Sequence, residues 1–396
     1  MHRRADLLRL PLSLLLAAAC SSESQPVGAP VDPDGGATPT PDAGVVAGAK
    51  LDCGGHGCNV KQIALGTIAA CALLEDATVA CYGGGIVGTL GRGAQRPETD
   101  PVAQRVPDLK DVAKVFGGGY SMCGILTDST VACWGPDQSV GPYGSFPSDL
   151  FRVQGVSGVV DLAVATSHTC ALVESGDVYC FGSNYFGELG DGTTNNAKAA
   201  VKVSSIRGAK HIATGAEVTC AVLASGAVSC WGLNDQGQLG QNDSDKLVHL
   251  TPVEVKGLDG PAKRIAASSI SGTVCALLES GATTCWGEKL VGSAPTGGGA
   301  ALAVGWNHAC AIDGTGGVSC WGANAKGQLG NGSTAAAAAP VSASGVRTAV
   351  SVATGGNSSC AVFSDGAFAC WGENTRGQLG GGEVGTTVPT PAAKHF

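Results

Sequence analysis

Seven times this chain writes a cysteine, nine residues and a second cysteine: Cys71/Cys81, Cys123/Cys133, Cys170/Cys180, Cys220/Cys230, Cys275/Cys285, Cys310/Cys320 and Cys360/Cys370. The first members lie 52, 47, 50, 55, 35 and 50 residues apart, so the cysteines count seven copies of a unit of about fifty residues. A chain built from seven similar parts must fold into seven similar parts. In the copy HTCALVESGDVYCFG (residues 168–182), residues alternate up to a turn at Glu174-Ser175-Gly176 and alternate again beyond it, the pattern of a β-hairpin. The odd loop sets Cys170 opposite Cys180 on antiparallel strands, about 4.5 to 5.5 Å apart at Cα, within reach of a disulfide.

Three uses of these thiols compete. Zinc sites gather cysteines at two-to-four-residue spacing, and seven ten-residue pairs with no regular histidine would each be half a site. Reduced cysteines would serve as small apolar side chains. The third use is a structural staple, and the N-terminus favours it. Residues 1–19 carry Arg3 and Arg4, a Leu-rich run and three alanines before Cys20, the layout of an export signal, and exported chains keep disulfides. The run is too short to cross a bilayer, and no later stretch nears eighteen consecutive apolar residues.

Small residues ending in Cys20 resemble a bacterial lipoprotein signal, whose cysteine is acylated, although Ala17 stands where that signal prefers Leu. An ordinary cleaved signal is the alternative. Residues 20–50, rich in Pro, Ser, Gly, Ala and Asp without periodicity, are expected to form a flexible tether between a membrane and a domain over residues 51–396. Without residues 1–19 the net charge of −8 becomes about −10, which argues against nucleic acid as a partner. The expected localisation is the bacterial cell envelope, lipid-anchored and facing the periplasm or exterior, with secretion as the alternative.

Alternation gives the architecture. Cys170 and Leu172 share a face with Val178 and Cys180, while Ala171 and Phe181 point the other way, so both faces of the sheet are apolar and need cover. Glycine, 62 of 396 residues, is about twice its usual share, which suits a turn-rich β protein. Seven small sheets buried on both sides predict an all-β, seven-bladed β-propeller with about four strands per blade. Each second cysteine is followed by an aromatic and glycine, with Tyr82, Trp134, Phe181, Trp231, Trp286, Trp321 or Trp371 as the aromatic, expected to pack between blades. Four copies continue as SNYFGELGDGT, LNDQGQLGQND, ANAKGQLGNGS and ENTRGQLGGGE, loops whose Leu189, Leu239, Leu329 and Leu379 are expected to plug back onto the sheet.

The run from His168-Thr169-Cys170 through Cys-aromatic-Gly to Gly-Gln-Leu-Gly resembles the regulator of chromosome condensation repeat family, over roughly residues 60–390. The resemblance implies a seven-bladed propeller closed by its N- and C-terminal segments. On it, the tail TTVPTPAAKHF is expected to complete the first blade, which lacks an evident lead strand. WGEKLVGSAPTGGGAAL has no Gly-Gln-Leu-Gly loop, so the fifth blade is expected to be short. The family's founder is a chromatin-bound nucleotide exchange factor for a small GTPase. A basic tail and a wedge hairpin are missing here, and no GTPase partner is expected of an exported chain.

Nothing in the sequence singles out a catalytic acid, base or nucleophile. His168 and His308 hold equivalent repeat positions and are expected to be hydrogen-bonded near the central channel, while His211 and His249 look isolated and solvated. Cys53-Gly-Gly-His-Gly-Cys58 reads as a small disulfide loop or, alternatively, a metal clip around His56. Asp191, Asp243 and Asp245 lie in acidic loops without calcium-loop spacing. Neither a cofactor nor a metal is therefore expected. The loops that differ between copies carry the candidate binding residues Tyr143, Phe146, Tyr185, Phe186, Asp243, Asp245 and Lys289. The expectation is an interaction module for a protein or glycan, anchored to the bilayer through Cys20. Alternatives are an enzyme inhibitor resembling propeller β-lactamase inhibitors, a polysaccharide-active propeller enzyme, or an exchange factor.

Overall fold

A sheet whose two faces are both apolar needs cover on each side, and here neighbouring sheets supply it seven times. The structure, a computed structural model, describes residues 58–93, 98–136, 150–241, 247–287 and 299–394. It is a seven-bladed β-propeller of antiparallel sheets. Blade 3 shows the plan: strands Val159–Val164, His168–Val173, Val178–Gly182 and Ala197–Lys202 run outward in sequence order from the axis. The innermost strands of the seven blades are Val60–Leu65, Val112–Gly118, Val159–Val164, Ala209–Thr214, Ala262–Ala267, Ala301–Val304 and Ala349–Gly355.

The hairpin register places Cys170 opposite Cys180. Val173 donates its N–H to Asp177, so alternation makes the cysteine position a narrow, non-hydrogen-bonded pair. The same register recurs in every blade, and all the ten-residue pairs are disulfides: Cys71–Cys81, Cys123–Cys133, Cys170–Cys180, Cys220–Cys230, Cys275–Cys285, Cys310–Cys320 and Cys360–Cys370. Their Cα atoms lie 4.0 to 4.1 Å apart, closer than the 4.5 to 5.5 Å expected of facing residues, because the bridge occupies the narrow pair. Cys81 and Cys320 are fully buried like their partners, whereas Cys285 is only half-buried, since it sits on the last described strand of blade 5. Cys58 is also disulfide-bonded, while Cys53 and Cys20 lie outside the described residues.

The two faces separate as alternation requires. Cys170, Leu172, Val178 and Cys180 pack with Ile212, Ala221 and Trp231 of blade 4, whereas Ala171, Val173 and Phe181 pack with Cys123, Ile125 and Cys133 of blade 2. Each staple thus lies against the aromatic of the next blade. The glycine after that aromatic is fixed by geometry: Gly232 has φ +106°, and a Cβ there would stand 2.3 Å from the Glu217 carbonyl oxygen. The strand bulges between Cys230 and Gly232 and turns into the loop that clamps the next blade.

Closure of the ring differs from the expectation. The C-terminal strand does not complete the first blade: Thr386–Val388 pairs with Phe368–Asn374, and Ala393–Lys394 pairs farther along the same strand, so the tail completes its own blade. Blade 1 already has a lead strand in Val60–Leu65, paired with Ala69–Leu74, which leaves no place for the tail. Blades 7 and 1 meet face to face, Cys360, Cys370 and Leu379 packing on Ile63, Leu65 and Tyr82, and Val60 donates its N–H to Gly366. Among the described residues blade 5 has three strands, Ala262–Ala267, Val274–Leu278 and Thr283–Trp286.

Candidate functional site

The Gly-Gln-Leu-Gly loop is built around one asparagine. Asn324 accepts the N–H of Leu329 on its side-chain oxygen at 3.0 Å, and Asn184, Asn234 and Asn374 do the same for Leu189, Leu239 and Leu379. The four leucines are fully buried between blades. Blade 1 has the same plug in Leu90, which arrives in a Gly-Thr-Leu-Gly variant. The carbonyl just before four of the five plugs then receives the next blade's indole, while Leu379 meets Tyr82: Trp134 donates to Thr89, Trp231 to Glu188, Trp286 to Gln238 and Trp371 to Gln328, at 2.8 to 3.2 Å.

The two equivalent histidines reinforce this clamp. The Thr219 hydroxyl donates to the Glu188 carbonyl and lies 2.7 Å from His168 Nε2; Ser359 donates to the Gln328 carbonyl and lies 2.9 Å from His308 Nε2. With each hydroxyl proton so committed, the imidazole Nε2–H must be the donor. Burial pulls His168 down to about 3 and His308 down to about 4, so both rings are neutral at physiological pH. They are structural clasps between blades. Glu188 is the odd member of its set: the other loops place Gln238, Gln328 and Gln378 there, and all four accept an N–H two residues upstream. Burial pushes the Glu188 carboxyl upward, and Glu217 pushes it further.

The axis holds what local sequence reading missed. The residue opposite the second position after each first cysteine is Gln62, Lys114, Asp161, His211, Arg264, Ala301 and Ser351 in blades 1 to 7. They form a ring of equivalent positions, mostly polar, around the central channel. Two long members reach toward the next blade: Gln62 exchanges two hydrogen bonds with the Val115 backbone, and Lys114 Nζ donates to Val160. Asp161 faces His211 at 4.0 Å. Burial raises the Asp161 carboxyl against the opposing pull of His211 and Lys114, and burial lowers His211 although Asp161 raises it. His211 is therefore not the isolated, solvated residue expected, because the fold brings blades 3 and 4 together at the axis.

Gln62, Asp161 and His211 line a cavity of about 290 Å³ with Phe116, Thr214 and Thr354 among its other walls. At the far end the inner turns lean on one another: Thr67 donates to Gly119, Ser167 to Ala216, Ser271 to Trp306 and Trp306 to Gly356. Thr166 donates to Ser269 from blade 3 to blade 5, narrowing that end. Of the loop candidates, Tyr185 is 59% exposed and Phe186 is half-buried on the blade 3 loop. Tyr143, Phe146, Asp243, Asp245 and Lys289 lie outside the described residues. His249, on the outer strand of blade 4, is half-buried. Among the described residues no group of three or more His, Cys, Asp or Glu is arranged to hold a metal.

Seven disulfide-stapled blades, five of which carry a leucine-plugged loop against the next blade among the described residues, define a repeat propeller in which each blade keeps its own strands. The chain belongs to the regulator of chromosome condensation (RCC1) repeat family, whose two repeat profiles match residues 159–188, 209–238, 300–328 and 349–378, and residues 175–222, 225–276 and 315–362. A curated relative, the human E3 ubiquitin-protein ligase HERC2, is 35% identical over 134 residues, 31% of this chain. That stretch is only 3% of HERC2. Among solved structures, human WBSCR16 is similar with a TM-score of 0.68 at 21% identity, covering 77% of this chain and 86% of that one. Yeast RCC1 (Prp20) bound to Kap60 gives 0.51 at 20% identity, covering 84% and 74%. The ectodomain of the Arabidopsis thaliana receptor kinase ACR4 gives 0.50 at 19%, covering 78% and 96%. These likenesses show the fold.

Proposed function

We propose that this propeller is an extracytoplasmic interaction module, tethered to a membrane through an acylated Cys20 and binding a protein partner with the loops that differ between its blades. The seven disulfides within the blades carry the reading, because that number of paired thiols belongs to an oxidising compartment. Support for protein binding comes from similar propellers: yeast RCC1 is bound by Kap60, and the ACR4 propeller is a receptor ectodomain. The buried, neutral histidines are committed to clasps, so the repeats themselves favour a scaffold over a catalyst.

Two measurements test the proposal. A fatty-acid analogue supplied to bacteria expressing the full chain is expected to label the protein, and Cys20→Ser is expected to lose the label and appear in the soluble fraction. Equal labelling of both would sink the anchor. Photo-cross-linkers at Tyr185 and at exposed Leu247 are expected to trap one common protein from the envelope, whereas a cross-linker at Lys61 in blade 1 is not. The same products from all three positions would remove the loops from the proposal.

A further inference from the structure

The turns joining the first and second strands of the blades gather at one mouth of the channel, and because antiparallel strands alternate in direction, the loops after the third strands open on the same face. Four residues before the first cysteine of each pair, six of these turns carry Thr67, Gly119, Thr166, Ala216, Ser271 and Gly356; blade 6 carries Trp306. It is 43% exposed, whereas the other tryptophans are buried or half-buried, and it belongs to none of the apolar clusters that hold the blades together. Its backbone is pinned on both sides. The N–H donates to Gly356 of blade 7, and the carbonyl accepts the Ser271 hydroxyl of blade 5 at 3.2 Å. A large aromatic on a fixed backbone, facing solvent and unused in packing, is the kind of residue that anchors a partner.

The charge around Trp306 defines what it meets. Glu217 of blade 4 is the one carboxylate in the inner turns, which hold no lysine or arginine. Its side chain makes no hydrogen bond or ion pair among the described residues, and burial, together with the like charge of Asp235, pushes the carboxyl up. One turn separates it from the indole: Ala216 donates its N–H to Ser271, whose hydroxyl bonds the Trp306 carbonyl. On the surrounding loops the accessible Glu98, Asp191, Asp235 and Glu383 outnumber Lys326 and Arg376.

We propose that this mouth seats a basic segment of the protein partner, one arginine stacking on the Trp306 indole and a second facing Glu217. The proposal rests on protein binding at the loop face and adds the partner's chemistry. Arginine suits the site because its flat, weakly hydrated guanidinium stacks on an aromatic face while keeping its charge. An acidic segment would be repelled by the carboxylates, and a purely apolar one would cover Glu217 without pairing it. Thr166 reaches Ser269 across the narrowed end, so the segment lies on the mouth rather than threading the channel.

The test is fluorescence anisotropy of the folded, disulfide-bonded chain with the labelled peptide Gly-Ser-Arg-Ala-Arg-Ser-Gly and with versions in which glutamine or glutamate replaces both arginines. Saturable binding of the arginine peptide is expected at a Kd of about 1 mM or tighter, with the other two at least about tenfold weaker. Trp306→Ala and Glu217→Gln are each expected to weaken it about fivefold or more, while Glu279→Gln, which removes an exposed carboxylate from the opposite face, leaves it unchanged. Glu217→Gln is also expected to melt no lower than the parent, because that carboxylate has no partner to lose. Absence of saturable binding, equal affinity for the arginine and glutamine peptides, or parental affinity in either mouth variant would overturn the proposal. Capture by cross-linkers at Tyr185 and Leu247 is scored separately, so failure of the basic segment and failure of loop binding give different results.

Discussion

The seam between blades 6 and 7 and the seam between blades 5 and 6 are built from the same repeat and held differently. At the first, the Gln328 carbonyl takes both the Trp371 indole and the Ser359 hydroxyl, His308 backs the hydroxyl, and Leu329 fills the space beneath. At the second, blade 5 carries no Gly-Gln-Leu-Gly sequence, and Ala309 stands where blade 7 has Ser359. Trp321 is as buried as Trp371, yet its indole N–H has no partner among the described residues. Blade 3 meets a comparable situation with Phe181, which has no N–H to satisfy, opposite a blade 2 that also lacks the Gly-Gln-Leu-Gly sequence. The aromatic at a seam therefore packs in every case, but among the described residues its N–H is donated only where the preceding blade carries a leucine-plugged loop.

Truncating the aromatic gives the largest effect. Trp371→Ala is expected to cost about 3 to 5 kcal/mol in chemical denaturation, through a large cavity and a broken clamp. Next is the acid sensitivity of the clasped seams, which the seam after blade 5 does not share, since Thr273 replaces the histidine there. The unfolded chain takes up a proton at each histidine as pH falls below the ordinary 6.5, whereas folded His168 and His308 resist until about 3 and about 4. Their contribution is thus complete above pH 7 and drains away as pH falls from 6.5 toward 4. Melting temperatures of a His168→Gln, His308→Gln double variant are expected to vary less with pH over that window.

The direct comparison of donors is smaller. Trp371→Phe is expected to cost about 1 to 2 kcal/mol, and Trp321→Phe to be neutral or slightly stabilising because it removes an unpaired donor. Equal losses in the two variants would show that the indole bond contributes nothing beyond packing. Smallest is Glu188→Gln, expected to stabilise by about 1 kcal/mol at pH 7, since it gives blade 3 the neutral side chain of the other loops beside Glu217. The gain should shrink as pH falls and the buried carboxyl takes up its proton.

The clasped seams were the legible part of the molecule. Cysteine spacing, the aromatic-glycine pair and the buried leucines recur at fixed offsets, so their roles follow from local pattern and period. Ring closure was misread because the lead strand of blade 1 begins with charged and polar residues, yet KQIALG matches KHIATG of blade 4 closely enough to have shown it. The axial ring was harder. Gln62, Lys114, Asp161, His211, Ala301 and Ser351 stand nine residues before the first cysteine, and Arg264 eleven, but their identities differ from copy to copy. A residue that changes in every repeat carries no motif, and only the convergence of seven inner strands gives the set a meaning.

Among the described residues blades 1 and 7 each own all their strands, and the two blades meet through side-chain packing and backbone hydrogen bonds such as that from Val60 to Gly366. A propeller sealed by a shared strand fixes its number of blades, because a lost repeat would have to leave that strand's partner in place. This ring carries no such bookmark. Duplication or deletion of one stapled repeat would leave every remaining strand paired within its own blade, and the blade count would be set only by the angle at which neighbouring clamps meet.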